Sequence, residues 1–119
     1  MAQIMIHNTH GKDDVERASL ALVIANTALT SGQEAVLLLT VDGVWIATSG
    51  YTEGLQANGF QPLTDLLNQF VTNGGRVLVC GACAKPRNIT AEQLIQGAQL
   101  VGAAVAVELL VKGAVGLSF

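Results

Sequence analysis

Charge is scarce in this chain. Only 13% of its 119 residues are Asp, Glu, Lys or Arg, and six basic residues against nine acidic ones leave a formal net charge of -3. No Lys/Arg cluster exists beyond the short Lys85–Arg87 pair, which excludes a basic face for nucleic acid. Aromatics make up 4% of the chain, and there are only two prolines and two cysteines. Cysteines three positions apart close almost no loop and cannot act as a structural staple, so a reducing, cytoplasmic setting is expected. Met1-Ala2-Gln3-Ile4 has no basic region followed by an apolar core, so no signal peptide is expected. The most apolar stretch, Leu94 to Phe119, is interrupted by Glu108, Lys112 and several glycines. It reads as strand–helix–strand rather than as a membrane span. The GxGxxG, P-loop, HExxH and GxSxG patterns are all missing, which leaves nucleotide hydrolysis and serine hydrolase chemistry without support.

What the chain does have is aliphatic bulk. Half of its residues are hydrophobic, and the mean hydropathy is +0.47. A chain of this length suits one domain over residues 1–119. So small a domain has a large surface for its volume, and too few charges to cover it. Part of its apolar area is therefore expected in a contact between copies.

The apolar runs alternate with helical periodicity. Gln3 to His7 suits a first strand. Asp13 and Asp14 mark a helix start, and Ala18, Ala21, Leu22, Ala25, Ala28 and Leu29 repeat at helical spacing to about Thr30. Ala35 to Thr40 is a continuous apolar run of the kind a parallel strand covered on both faces requires. Asp42-Gly43 turns the chain, and Val44 to Ala47 predicts a short helix. Thr48 to Phe60, with Gly50, Gly54 and Gly59, predicts a mobile excursion. Pro62 opens a helix that runs through Val71 and stops at Gly74-Gly75. Arg76 to Cys80 is a third strand, Thr90 caps a turn over Ala91 to Gln96, and Gln99 to Val101 is a fourth strand. Ala103 to Val111 is a further helix, with Glu108 and Lys112 spaced as an i, i+4 pair. Ala114 to Leu117 is a last strand. The alternation predicts a single three-layer α/β domain, flavodoxin-like, with a mostly parallel five-stranded sheet and helices on both faces.

Cys80-Gly81-Ala82-Cys83 follows the apolar run Val77-Leu78-Val79 directly, and Lys85 and Arg87 come next. This spacing puts Cys80 at the carboxyl end of a buried strand, where N–H groups and cations favour the reactive thiolate. C-x-x-C is also the spacing of dithiol redox pairs. Both cysteines as small buried hydrophobes is the plain alternative. Strand carboxyl ends converge on one edge of a parallel sheet, so His7, His10 and Asp42-Gly43 are expected near the thiols. His10 is the better placed of the two histidines to polarise Cys80. Asp-Gly is more commonly a simple turn, and that reading is preferred for Asp42-Gly43. A Cys2His2 zinc site from Cys80, Cys83, His7 and His10 is conceivable but weak. Trp45, Tyr51 and Phe60 would cover the site, fill a contact between copies, or pack locally.

Taken together, these features resemble the DsrE/DsrF/TusD family of small sulfur-relay proteins. The likeness rests on the apolar strand ending in Thr40 before Asp42-Gly43-Val44, and on the Val79-Cys80-Gly81-Ala82-Cys83 turn. It also rests on the basic Lys85/Arg87 segment before Ile89 and on the ending from Val101-Gly102-Ala103 to Leu117. The resemblance implies a DsrE-like domain assembled into homotrimers or hexamers, or into mixed oligomers. It further implies that Cys80 carries a persulfide sulfur between donor and acceptor proteins, with no metal or organic cofactor. Cys83 departs from the one-cysteine pattern of TusD. In this reading Cys80 is the acceptor nucleophile and Cys83 resolves the persulfide by attacking Cys80. Lys85 and Arg87 stabilise the anions, and Gly81 and Ala82 keep the turn open. A C-x-x-C dithiol redox protein and a non-catalytic oligomeric binding module remain as rivals.

Overall fold

A computed structural model describes residues 3–119, so Met1 and Ala2, with the leader question they bear on, lie outside the described residues. Five strands form one sheet: β1 (Gln3–Asn8), β2 (Glu34–Leu39), β3 (Arg76–Cys80), β4 (Ala98–Val101) and β5 (Val115–Ser118). The order across the sheet is β4-β3-β2-β1-β5, and every pairing is parallel. The helices are α1 (Val15–Thr30), α2 (Leu63–Thr72), α3 (Gly81–Ala84) and α4 (Ala103–Val111). The expected α/β sheet with helices on both faces is present, and its one reversal of strand order lies between β1 and β5.

Crossover handedness explains the layering. From β1 to β4 the chain steps steadily one way across the sheet, so right-handed connections keep α1, α2 and the 81–97 segment on one face. The return from β4 to β5 runs the other way and puts α4 on the opposite face. The core divides accordingly. Ile6, Leu37, Leu39, Val77 and Val79 pack with Ala18, Leu22, Leu66 and Phe70 on the first face. Met5, Val36, Leu38 and Leu78 face Val105, Ala106 and Leu109 on the second. Strand alternation does the sorting, because successive side chains point to opposite faces.

Several sequence expectations hold in detail. The Asp14 side chain accepts a hydrogen bond from Arg17 N at 2.9 Å and caps α1. Thr90 and Gln93 form a reciprocal capping box around a short 3-10 turn, Ala91–Gln93, rather than a turn reaching Gln96. The excursion after Thr48 is a correction. It packs back onto the body through Thr52, which is buried and hydrogen-bonded to Thr64 Oγ1 at 2.7 Å. Ser49 N bonds to Gln93 O at 2.8 Å, and Thr48 bridges Leu94. Its glycines serve turns; they do not detach the segment.

Candidate functional site

β3 ends at Cys80, which adopts an extended conformation (φ -63°, ψ 114°) and serves as the N-cap of α3. Cys83 is the third residue of that single turn. Both thiols are free and half-buried, and both pack against the α1/α2-side core. Glycine fits the exit from the strand. A Cβ at Gly81 would lie 3.3 Å from Val101 O at the end of β4, tighter than most side-chain contacts. Ala82 is exposed, and the turn is open to solvent on that side.

The neighbouring strand end supplies the charge. The chain leaves β2 through Val41, which has φ 54°, a left-handed conformation that a β-branched residue rarely adopts. Asp42 follows, and its Oδ1 accepts from Arg87 Nη2 at 3.0 Å and Nε at 3.2 Å. Arg87 Nη1 donates to Cys83 O at 3.0 Å. Asp42 is therefore linked to the thiol turn through Arg87, and Gly43 also turns the chain, as the sequence favoured. Gly43 is required by close packing: a Cβ there would lie 2.3 Å from Asn8 O. The basic residues have separate settings. Arg87 is committed to Asp42 and the Cys83 carbonyl, while Lys85 is exposed and makes no ion pair among the described residues.

The hydrogen bonds of both histidine rings go to residues other than the thiols. His10 Nδ1 lies 2.7 Å from Asp13 Oδ2, and none of the hydrogen bonds of its ring goes to Cys80. The bond from His10 also holds the Asp13 carboxyl below its usual range. β2 stands between β1, which carries His7 and leads to His10, and β3, which ends at Cys80. His7 Nε2 is hydrogen-bonded to Thr40 Oγ1 at 2.7 Å and its Nδ1 to Ser118 Oγ at 3.3 Å. Burial lowers the pKa of His7. Among the described residues, no three His, Cys, Asp or Glu side chains gather closely enough to hold a metal ion, so the Cys2His2 set is not assembled.

Two of the aromatics expected to cover the site, fill a contact between copies or pack locally form a wall beside Asp42. Trp45 stacks on Tyr51 with ring centroids 5.8 Å apart. The Tyr51 hydroxyl accepts from Lys12 N at 2.8 Å, and Lys12 Nζ sits 4.7 Å from the ring centroid. Burial pushes the Tyr51 phenol up, and the Asp42 charge adds to the effect. Tyr51 and Phe60 in the glycine-rich segment, with Trp45 just before it, were the sequence signal. A cavity of about 450 Å³ lined by Gln3, Glu34, Asn73 and Arg76 lies at the opposite, amino-terminal edge of the sheet, away from the thiols.

A sequence profile of the DsrE/DsrF-like family matches residues 2–119. The chain belongs to the DsrE/DsrF-like family. It is 36% identical over 85 residues to the uncharacterized protein MK0008 of Methanopyrus kandleri, covering 71% of this chain and 67% of that one. It is 38% identical over 85 residues to MJ0989 of Methanocaldococcus jannaschii, covering 71% of each. The match to MJ0760 of the same organism, 28% identical over 101 residues, takes in 85% of this chain but 37% of that longer protein. Two solved structures share the fold end to end. The MTH1491 protein from Methanobacterium thermoautotrophicum and the ychN protein from E. coli each superpose with a TM-score of 0.71 and full coverage of both chains, at 12% and 18% identity.

Proposed function

We propose that this DsrE-like protein carries sulfane sulfur on Cys80 between a donor protein and an acceptor protein. One observation carries the reading. Cys80 is a free, half-buried thiol at the carboxyl end of a central-sheet strand, and a single open helical turn begins beside it. The first N–H groups of such a turn have no intrahelical partner, and the exposed Lys85 adds a cation close by in the chain.

The chemistry is thiol exchange. The Cys80 thiolate attacks the outer sulfur of a donor persulfide. A bond forms between Cys80 Sγ and that sulfur, the donor S–S bond breaks, and the donor leaves as a thiolate. An acceptor thiolate then attacks the outer sulfur and regenerates the Cys80 thiolate, with no net oxidation. Cys83 offers a second exit. Its thiolate attacks Cys80 Sγ, the Cys80–Cys83 disulfide forms, and hydrosulfide leaves. Cys80 caps the turn that carries Cys83, and C-x-x-C is the spacing of dithiol redox pairs. That spacing favours dithiol exchange as the second reading.

Self-association belongs to the same proposal. α4 has no buried residue. Val107, Leu110 and Val111 on it are exposed, as are Val115 and Leu117 on the edge strand β5. An apolar surface this continuous on a chain with so few charges is best covered by further copies of the chain, in a trimer or a hexamer. No helix among the described residues is long and apolar enough to cross a membrane, and free thiols suit a reducing compartment such as the cytoplasm.

The deciding experiment is mass spectrometry after incubation with a protein persulfide donor. The expected result is one added sulfur atom on the Cys80 peptide. A reversible Cys80–Cys83 disulfide without that adduct would favour the dithiol reading, and neither product would favour a binding module.

A further inference from the structure

The turn that bears both thiols has few ties of its own. α3 is four residues long. Among the described residues, one side-chain hydrogen bond reaches its backbone, from Arg87 Nη1 to Cys83 O at 3.0 Å. The rest of the same guanidinium, Nε and Nη2, is spent on Asp42 Oδ1. A planar fork satisfied on two sides has its orientation fixed, which an ammonium group cannot reproduce. The backbone on either side of Asp42 is constrained. Asp42 sits between Val41, in a left-handed conformation, and Gly43, whose packing against Asn8 O admits no side chain. Strain of this kind persists where the surroundings over-determine it, and it gathers at functional sites.

We propose that Asp42 and Arg87 form a charge-compensated clamp on the thiol turn, with Asp42 as a positioning residue. Arg87 fixes Cys83 through its carbonyl, and Asp42 aims the guanidinium and cancels its charge. Lys85 is then the uncompensated cation of this segment. The purpose of the clamp rests on the sulfur-carrier reading, but its existence is measured without any sulfur donor.

The test is the pH profile of iodoacetamide alkylation at Cys80 and Cys83, read peptide by peptide on the reduced full chain. Asp42→Asn leaves Arg87 uncompensated, so the midpoint at Cys83 should move to lower pH than in the unaltered protein. Arg87→Gln leaves the carboxylate alone, so the midpoint should move to higher pH. The double variant should return close to the unaltered profile. Arg87→Lys keeps the charge and loses the fork, so it should leave the midpoint nearly in place while Cys83 alkylates about fivefold faster, as the loss of one hydrogen bond would give. It also serves where a neutral variant does not fold. Shifts of the two single variants in the same direction, no shift, or an unchanged Cys83 rate in Arg87→Lys would overturn the clamp. If the clamp holds and the unaltered protein takes no sulfur from a persulfide donor, the carrier reading alone fails.

Discussion

His7 Nε2 and Thr40 Oγ1, at the ends of the adjacent strands β1 and β2, are hydrogen-bonded at 2.7 Å. The other ring nitrogen of His7 reaches Ser118 Oγ on β5, so one half-buried imidazole ties three strands together on the α4 side of the sheet. Burial favours the neutral ring and depresses its pKa below 6.5.

A pH dependence follows. Below pH 6.5 the unfolded chain takes up a proton at His7 that the folded chain resists, so the unfolded state binds more protons. Stability should therefore fall as pH is lowered from about 6.5 through the depressed folded-state pKa. Urea unfolding at steps between pH 7 and pH 5 measures this slope, and His7→Gln should flatten it. Asp13, whose pKa is also lowered, acts in a separate window below the ordinary carboxyl value of 3.8. An equal slope in His7→Gln would assign the effect elsewhere.

The two cysteines should separate cleanly. Cys80→Ser is expected to abolish sulfur uptake from a persulfide donor. Cys83→Ser should keep uptake and lose the disulfide exit, so its persulfide should outlive that of the unaltered protein. Mass spectrometry with time after donor removal reads both. Uptake persisting in Cys80→Ser at the unaltered rate would move the chemistry away from β3.

Gly43→Ala tests the close approach of the loops after β1 and β2. The added methyl group would meet Asn8 O at 2.3 Å, and backbone on both sides must shift. Overpacking of this kind costs about 1–3 kcal/mol. Chemical denaturation should report a loss in that range, and a loss below about 0.5 kcal/mol, typical of surface changes, would show that the loops part easily.

Self-association through α4 should be sensitive to charge. Val111 is 80% exposed, so Val111→Glu should fold normally and dissociate the assembly. Light scattering should give a mass well above 12.3 kDa for the unaltered protein and a smaller species for the variant. A monomer in the unaltered protein at micromolar concentration would leave the apolar face unexplained by self-contact.

Much of this molecule was readable before any coordinates. Helix and strand periods, Asp14 as a cap, the Thr90 cap and the glycine stops placed every strand and the three longer helices within a few residues. The run Val77–Cys80 already put the thiol at a strand end, because each of these signals is local and lies within one turn or one strand of its cause. Partner choice across the sheet was beyond that reach. Strand order put β2 between the histidines and Cys80, sent His7 to Thr40, and brought Asp42 within 3.0 Å of Arg87. Contacts between residues 45 positions apart arise only when the whole sheet has closed, and which of the charges gathered at its edge then meet is decided by which strands lie side by side.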